Sequence, residues 1–460
     1  MKKYPVISSV WVVACVLFYG CGTTAKHHEE VSWGELEEQG NKAVERSAKV
    51  ETATTLIVNA DVRDGEGQRF NPGYVLFRDK ILGVGAGEPK EITKEAIRID
   101  ANGSIVTPGL IDTHSHLGVY ARPSARSHSD GNEATGATTA GVWAEHSVWP
   151  QDPGFQLALR GGVTTLHVLP GSANLIGGRG VTLHVVPKLG SRGMRLEGAP
   201  SSVKMACGEN PKRVYGRRSA APSTRMGNLR GQRQAFLDAQ NYLRERERKG
   251  PGAMPRKLDM ETLVGVLRGE ILPQIHCYRA DDMLSMLQLA EEFGFEIRSF
   301  HHALEAYKIA DILAERSVSV STWADWWGFK MEANDAVMAN AAIVHAAGGK
   351  AIIHSDSSVG IQRLNQEAAK ALREGRRAGL NVTEQDALTW ITLNPAWALG
   401  IEDQVGSLVP GKRSDLIIWE GDPMSVYGAP ESVFVDGVET WNRTNPPAPW
   451  SDFSVNPEVN

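Results

Sequence analysis

Val106-Thr-Pro-Gly-Leu-Ile-Asp-Thr-His-Ser-His116 is the stretch of sequence that determines how the rest of the chain is interpreted. It is an apolar segment that predicts a β-strand and ends at two histidines. Because side chains alternate between the faces of a strand, His114 and His116 should point the same way. Two imidazoles on one face are half of a metal site. The plainer alternative, two polar residues closing a strand, leaves the Pro108-Gly109 turn and the later histidines and aspartates unexplained.

The composition is that of a globular protein. The chain has 460 residues, of which 42% are hydrophobic and 22% are charged. This length suits one large barrel with an appendage, or two domains. The formal net charge is -5, from 49 basic and 54 acidic side chains. Since a nucleic-acid-binding protein usually has a clear basic excess, we expect no nucleic-acid partner.

Residues 1–20 have the pattern of a lipoprotein-type signal peptide. Met1-Lys2-Lys3 is positively charged, and Pro5 to Gly20 is an apolar stretch that is short for a membrane span. The following Cys21 resembles the lipidated cysteine of bacterial lipoproteins; Val12-Val13-Ala14-Cys15 is a competing match, and a plain secretory signal is the alternative. We therefore expect an exported protein, periplasmic or anchored to the outer membrane, whose only membrane contact is the N-terminal lipid. Residues 21–50 are polar and predict a tether.

Two cysteines, Cys207 and Cys277, lie outside the N-terminal segment. So few thiols in an exported chain predict a fold that does not depend on a network of disulfides. The sequence leaves open whether these two form a bridge.

The chain divides into a long middle and two β-rich ends. Residues 51–107 and 401–445 contain short strand patterns separated by tight turns, and we expect them to form one small β-sandwich domain. Residues 108–400 alternate strand patterns with helical patterns such as Asp281–Glu292 and Leu364–Arg376. This alternation predicts an α/β fold with a parallel sheet, best fitted by a (β/α)₈ TIM barrel. The glycine-rich segment Gly171–Gly180 predicts a loop of close backbone approach.

Later strand patterns also end at residues that bind metals. These ends are Lys204-Met-Ala-Cys-Gly-Glu209, Gln274-Ile-His276, Ser299-Phe-His-His302 and Ile353-His-Ser-Asp356. In a (β/α)₈ barrel the carboxyl ends of the strands face one mouth, so these side chains should converge there. Imidazoles and carboxylates together suit Zn²⁺, Mn²⁺ or Fe²⁺. The sequence therefore predicts a divalent-metal site at the barrel mouth.

Over residues 55–440 the chain resembles the amidohydrolase superfamily. The resemblance rests on the His-x-His strand after its Pro-Gly turn, on His276 and His302 at the fifth and sixth strands, and on Asp356 at the last strand. The ending is also similar, in Asn394-Pro-Ala396, Gly406-Ser-Leu, Gly411-Lys and Ser414-Asp-Leu416. Gly171–Asn174, Gly208–Arg213 and Ser321–Trp327 resemble the exported, imidazolonepropionase-related members.

The resemblance implies a set of metal ligands. His114 and His116 would hold one ion with Asp356, and His276 and His302 would hold a second. We expect Glu209 to be the bridging carboxylate between two ions, as in adenine deaminase-like relatives. The alternative bridge is a carboxylated Lys204, which other relatives use. Zinc is the expected metal, with Mn²⁺ or Fe²⁺ as alternatives, and the number of ions, one or two, stays open.

The implied reaction is metal-dependent hydrolysis of a C–N bond in a small molecule, such as an amide, cyclic amide or amidine. Asp356 would be the general base, and His276 or His302 would act on the substrate in a one-metal site. The alternatives are an Xaa-Pro-type dipeptidase, a deaminase, and a catalytically silent cell-surface binding module. The sequence leaves open whether the chain forms a homo-oligomer.

Two further histidines, a tryptophan cluster and an arginine cluster are interpreted from their positions. His301 precedes His302 and should pack on the opposite face of its strand. His354 shares a face with Asp356 and should lie one layer deeper, supporting the ligands. Two alternatives are left open for the tryptophan cluster, Trp323, Trp326 and Trp327: its rings either wall a substrate pocket or cap the core. Two are also left open for the arginine cluster, Arg213, Arg217 and Arg218: its side chains either bind a substrate carboxylate or are surface charges.

Overall fold

The computed structural model describes residues 52–90, 95–186, 188–250 and 253–448. The predicted signal peptide, the predicted lipidation site Cys21 and the predicted tether lie outside the described residues. Within the described ranges, no helix has both the length and the hydropathy that a membrane crossing requires.

The described chain begins with the strands of the β domain. They are β1 (Thr55–Arg63), β2 (Arg69–Phe77), β3 (Ile81–Ala86), β4 (Ile97–Asp100) and β5 (Ile105–Pro108). β1 pairs antiparallel with β2 and parallel with β4 and β5. β1 is buried along its length except at Asn59, where a φ of 53° and a shift of register against β2 mark a β-bulge.

The next strands form the barrel sheet. They are β6 (Leu110–Ser115), β7 (Val163–Val168), β8 (Ile176–His184), β9 (Ser202–Ala206), β10 (Leu272–Cys277), β11 (Ser299–His302), β12 (Ser319–Thr322) and β13 (Ala351–Ile353). Each strand pairs with the next along the chain. At the mouth, the backbone N–H of Asp356 donates to the carbonyl of His114 at 2.9 Å and brings the two outer strands together. The predicted barrel is therefore confirmed.

One strand departs from the all-parallel pattern, since β8 runs antiparallel to both β7 and β9. Only residues 169–175 connect β7 to β8, whereas a parallel connection needs about a dozen residues or more. The prediction of a loop over Gly171–Gly180 was therefore wrong for its second half, which lies in β8. Gly180 lets this strand pack closely, because a Cβ atom there would lie 2.7 Å from His167 Nε2 and 2.6 Å from Ser202 Oγ.

Helices cover the outside of the barrel. In chain order they are α1 (Pro153–Arg160), α2 (Ser191–Met194), α3 (Glu209–Gly216), α4 (Arg225–Lys249), α5 (Leu258–Leu267), α6 (Ala280–Phe293), α7 (Ala310–Glu315), α8 (Asn340–Ala346), α9 (Leu364–Arg377), α10 (Glu384–Thr389) and α11 (Leu393–Leu399). In α9 the buried Leu364, Ala368, Ala371 and Leu372 recur at helical spacing, which explains why this segment lies against the barrel.

The chain returns to the β domain after the barrel, through β14 (Leu416–Glu420), β15 (Ala429–Val435) and β16 (Val438–Asn442). β14 pairs antiparallel with β5, which gives the sheet order β16-β15-β14-β5-β1-β2-β3, with β4 on β1. The rings of Phe77 and Phe434, from opposite ends of the chain, meet edge to face at 5.4 Å in its core. As predicted, both chain ends build one β domain.

An ionic cluster, buried at His184 and Asp415, joins the barrel to the β domain. His184 ends β8, and its Nε2 lies 3.3 Å from Asp415 Oδ2 while its Nδ1 lies 3.4 Å from Asp436 Oδ2. The guanidinium of Arg413 holds both oxygens of Asp436 at 2.7 Å. Burial alone would lower the pKa of His184, but the two carboxylates outweigh it and raise the pKa to about 9.

Cys207 and Cys277 form a disulfide, with their Cα atoms 5.3 Å apart. Both are buried, at the ends of β9 and β10. The backbone N–H of Cys207 also donates to the carbonyl of His276 at 2.9 Å. The bridge that the sequence left open thus fastens together two strands that carry predicted site residues.

Candidate metal centre

Strand ends bring the predicted histidines around one carboxylate. Asp356 Oδ1 lies 3.2 Å from His116 Nε2 and 3.7 Å from His114 Nε2. Asp356 Oδ2 lies 4.0 Å from His302 Nε2. The ring of His276 meets that of His302 edge to face, with centroids 4.5 Å apart. Four of the predicted imidazoles and the predicted aspartate therefore meet at the barrel mouth.

Hydrogen bonds assign the tautomers of the first two histidines. Gln274 Oε1 accepts from His301 Nε2 at 2.7 Å, so His301 Nδ1 accepts from His114 Nδ1 at 2.9 Å. His116 Nδ1 donates to the carbonyl of Leu169 at 2.8 Å. In both histidines Nδ1 therefore carries a proton, and Nε2 is the atom that faces Asp356. This is the arrangement that metal-binding histidines adopt.

The other two imidazoles are oriented by packing. The ring of His302 is stacked between Tyr278, at 5.1 Å, and Trp323, at 4.4 Å. Among the described residues, the buried Nδ1 atoms of His276 and His302 have no hydrogen-bond partner. Since buried polar atoms are normally paired, these two nitrogens indicate that the centre accommodates an additional polar or ionic species. The donor set fits a divalent transition metal.

The backbone is also unusual at two of these residues. His302 has a φ of 70° and Asp356 a φ of 48°, in the left-handed region that non-glycine residues rarely occupy. Such conformations cluster at functional sites, where the surrounding structure holds them. The turn at His302 also breaks the alternation of the strand. His301 was predicted to face away from the site, but its ring instead points at His114 inside the barrel.

Burial sets the charge of the centre. Desolvation lowers the pKa values of His114, His276 and His302 well below the ordinary range of histidine, so these rings are neutral at pH 7. Burial alone would raise the pKa of Asp356, but the close contact with His116 and the nearby positive charge lower it below its usual value. Neutral imidazoles beside an ionised carboxylate are the protonation states that a metal ion requires.

The two candidates for a bridging ligand lie in different surroundings. Lys204 is buried, with its Nζ 3.4 Å from His114 Nε2 and 3.0 Å from the carbonyl of Pro170. Burial lowers the pKa of Lys204 to about 8. Glu209 begins α3, and its Oε1 lies 3.3 Å from Lys330 Nζ. The structure thus places Lys204 beside the imidazole of His114 and Glu209 in an ion pair with Lys330.

Sequence reasoning missed two residues that support the centre. The buried Asp112 accepts hydrogen bonds from the backbone of His114 at 3.0 Å and of Ser355 at 3.1 Å, and so joins the two segments that carry ligands. Its spacing of two from His114 was a usable signal, because it places both on one face of β6. Lys330 contacts Glu209 and lies 3.9 Å from the ring centre of Tyr278. No local pattern indicates that contact.

The tryptophans continue the stack outward from the centre. Trp326 stacks on Trp323 at 5.2 Å and is 39% exposed, whereas Trp323 is 4% exposed. Trp327 is 60% exposed. These rings therefore extend from His302 to the surface beside the mouth. Arg213 is bound to Asn210 Oδ1 at 3.3 Å and is exposed, so the choice between substrate contact and surface charge stays open for it.

Comparisons with known proteins agree with this geometry. The Amidohydrolase family model matches residues 262–444. The crystal structure of an amidohydrolase from Thermotoga maritima MSB8 is 36% identical, covers 85% of this chain and 100% of that chain, and has a TM-score of 0.78. Amidohydrolase tasK of Hapsidospora irregularis is 34% identical over 404 residues, which are 82% of this chain and 41% of the relative. This chain therefore spans less than half the length of that protein.

Imidazolonepropionase of Shewanella sp. (strain W3-18-1) is 59% identical over only 39 residues, or 8% of this chain. The barrel, with imidazoles and a carboxylate at its mouth, agrees with the class that these matches indicate, the hydrolases of the amidohydrolase superfamily. The match to the Thermotoga maritima amidohydrolase, which is 36% identical and covered over its whole length, shows that this chain belongs to the amidohydrolase superfamily. The match to imidazolonepropionase is too short to assign the narrower subgroup, which stays a prediction.

Proposed function

We propose that the protein hydrolyses a C–N bond other than a peptide bond, in an amide, cyclic amide or amidine of a small molecule. One observation carries the proposal: the carboxylate of Asp356 lies 3.2 to 4.0 Å from the Nε2 atoms of His116, His114 and His302. The mixed nitrogen and oxygen donors favour Zn²⁺, with Mn²⁺ or Fe²⁺ as alternatives.

We assign His114, His116 and Asp356 to one ion, and His276 and His302 to a second if two are bound. As the bridge we favour a carboxylated Lys204 over the Glu209 expected from sequence. Two observations support this choice. Lys204 Nζ lies 3.4 Å from His114 Nε2, and Glu209 is already engaged in an ion pair with Lys330. The lowered pKa of Lys204 also increases the fraction of unprotonated amine, the form that reacts with carbon dioxide.

When bound, the divalent cation would act as a Lewis acid and lower the pKa of water to about 7. Asp356, which is ionised at neutral pH, accepts a proton from the attacking water and returns it to the nitrogen of the leaving group. In a one-metal site, where they hold no second ion, the neutral His276 or His302 would instead act on the substrate and polarise its carbonyl or amidine group. The aromatic rings from Tyr278 to Trp326 limit the approach of bulk solvent on one side.

The direct test is a substrate screen with protein loaded with Zn²⁺ or Mn²⁺. N-acyl amino acids, hydantoins, dipeptides and purines are offered to the wild type and to Asp356→Asn. We expect hydrolysis of an N-acyl compound or cyclic amide by the wild type, and loss of turnover in the variant with its thermal unfolding retained. Cleavage restricted to dipeptides would assign a peptidase, and ammonia release from purines a deaminase.

The bridging ligand is tested by counting metal ions. We expect Lys204→Ala to lower the bound-metal content and Glu209→Gln to leave it unchanged. Each variant is compared with the wild type after loading in the presence of bicarbonate. The reverse pattern would restore Glu209 as the bridge.

We further propose that the protein is exported and lipid-anchored through Cys21. The sequence of residues 1–21 supports this, and a Cys207–Cys277 bridge suits an oxidising compartment. Radiolabelled palmitate should enter the wild type and not Cys21→Ser. Loss of residues 1–20 without labelling would indicate a plain secretory signal.

A further inference from the structure

His354 is a buried imidazole that the proposed mechanism does not use. It follows β13 and has no exposed surface. Its ring stacks on His114 with centroids 5.1 Å apart, and it lies 5.0 Å from both His302 and Trp323. His354 is thus enclosed by two of the proposed metal ligands and by the tryptophan that packs on one of them.

Within the described ranges, the ring of His354 has no hydrogen-bond partner. Its backbone N–H donates to the carbonyl of Thr322 at 3.1 Å, as the strand pairing requires. In the described part of the chain, however, neither Nδ1 nor Nε2 of the ring is paired. A buried neutral imidazole offers one donor and one acceptor, and leaving both unmet destabilises the fold. A species other than the described residues is therefore needed to satisfy this ring.

The neighbours of His354 indicate what that species is. One potential ligand atom from each of His114, His302 and His354 lies within 4.8 Å of the other two. Three imidazole nitrogens at this separation can surround a single transition-metal ion. A buried water is the competing explanation, because it too would bond to the free nitrogens.

We infer that His354 is a direct ligand of the metal centre, in addition to the ligands that resemblance to the family implies. The inference rests on one part of the proposed function, namely that the centre binds a divalent metal ion. An additional imidazole makes the donor set richer in nitrogen, which favours Zn²⁺ over cations that prefer oxygen ligands. His354 is therefore a ligand rather than a support packed behind the ligands.

The test is zinc K-edge X-ray absorption of the full-length, zinc-loaded protein, combined with competition against a chromophoric chelator. For His354→Asn we expect one imidazole fewer around zinc and an affinity loss beyond about 100-fold, the upper range for residues that act through a ligand. His301→Asn is the matched control, since that buried ring reaches the metal only through His114. It should weaken zinc binding without lowering the imidazole count.

Wild-type affinity and an unchanged imidazole count in His354→Asn would overturn the inference while leaving the proposed function intact. No bound zinc, manganese or iron in the wild type would contradict both. Should the variant fail to fold, anomalous diffraction from zinc-loaded wild-type crystals decides the question. We expect zinc at about 2.0–2.1 Å from a nitrogen of His354. A water between that nitrogen and the metal would overturn the inference.

Discussion

Individual histidines of this centre are held by two different means. His114 and His116 are oriented by hydrogen bonds through Nδ1, whereas His302 is clamped between the rings of Tyr278 and Trp323. Hydrogen bonds fix both tautomer and direction, while ring stacking fixes only the plane of the imidazole. The geometry of His302 therefore depends on the bulk of its neighbours.

We predict that Trp323→Leu weakens zinc binding about tenfold, because His302 loses the ring that covers one of its faces. The measurement is competition with a chromophoric chelator. Trp327→Leu is the matched control, since Trp327 is 60% exposed, and it should bind zinc like the wild type. Equal affinity in the two variants would show that stacking does not position His302.

The sequence predicts the candidate ligands at the residue scale better than the groups that support them. His114, His116, His276, His302 and Asp356 follow from one rule, that barrel strands end at a common mouth. The bond between His114 and His301 spans 187 positions, and no local pattern encodes it. Glu209 was placed by resemblance, and its contact with Lys330 depends on the path of a distant loop.

Among the elements, strongly periodic helices are predicted closely and the glycine-rich strand is not. The expected helices at 281–292 and 364–376 are observed as α6 and α9, because their buried residues recur at helical spacing. β8 contains Gly177, Gly178 and Gly180, and glycine is depleted in strands. Its extended conformation results from pairing with β7 and β9, which a local sequence window does not contain.

We predict that Gly180→Ala destabilises the protein by about 1–3 kcal/mol, since its methyl group would overlap His167 and Ser202. Chemical denaturation measures the change. Gly190→Ala is the control, because a Cβ there meets nothing within 4 Å and φ is −142°. It should lie within about 0.5 kcal/mol of the wild type. A neutral Gly180→Ala would mean that β8 is packed less tightly than described.

The whole molecule is a barrel fastened to a split β domain, and charge contributes to the junction. The sequence predicts the split, because both ends carry short strands. It does not predict the cluster of His184, Asp415 and Asp436, which needs β8 to run antiparallel. That direction carries His184 to the barrel end opposite the candidate metal centre. Arg413 already neutralises Asp436 there, so we interpret this cluster as structural.

This cluster makes stability depend on pH. The pKa of His184 is about 9 in the folded protein and near 6.5 when unfolded. By linkage, this shift in pKa adds about 3 kcal/mol to the free energy of unfolding. The whole of this stabilisation is present below pH 6.5, and it is lost as the pH rises through 9. We predict that wild type and His184→Gln differ most in unfolding free energy at pH 6, and that the difference fades by pH 10. A difference that is constant with pH would contradict this account.

The central claim is that the imidazoles at the mouth and Asp356 hold a divalent cation. The most direct measurement is elemental analysis of the purified protein after dialysis, with His116→Asn and Asp356→Asn alongside. We predict one or two equivalents of zinc, manganese or iron in the wild type and a lower content in both variants, with unfolding temperatures that show an intact fold. Less than half an equivalent in the wild type after loading with each metal would contradict the claim.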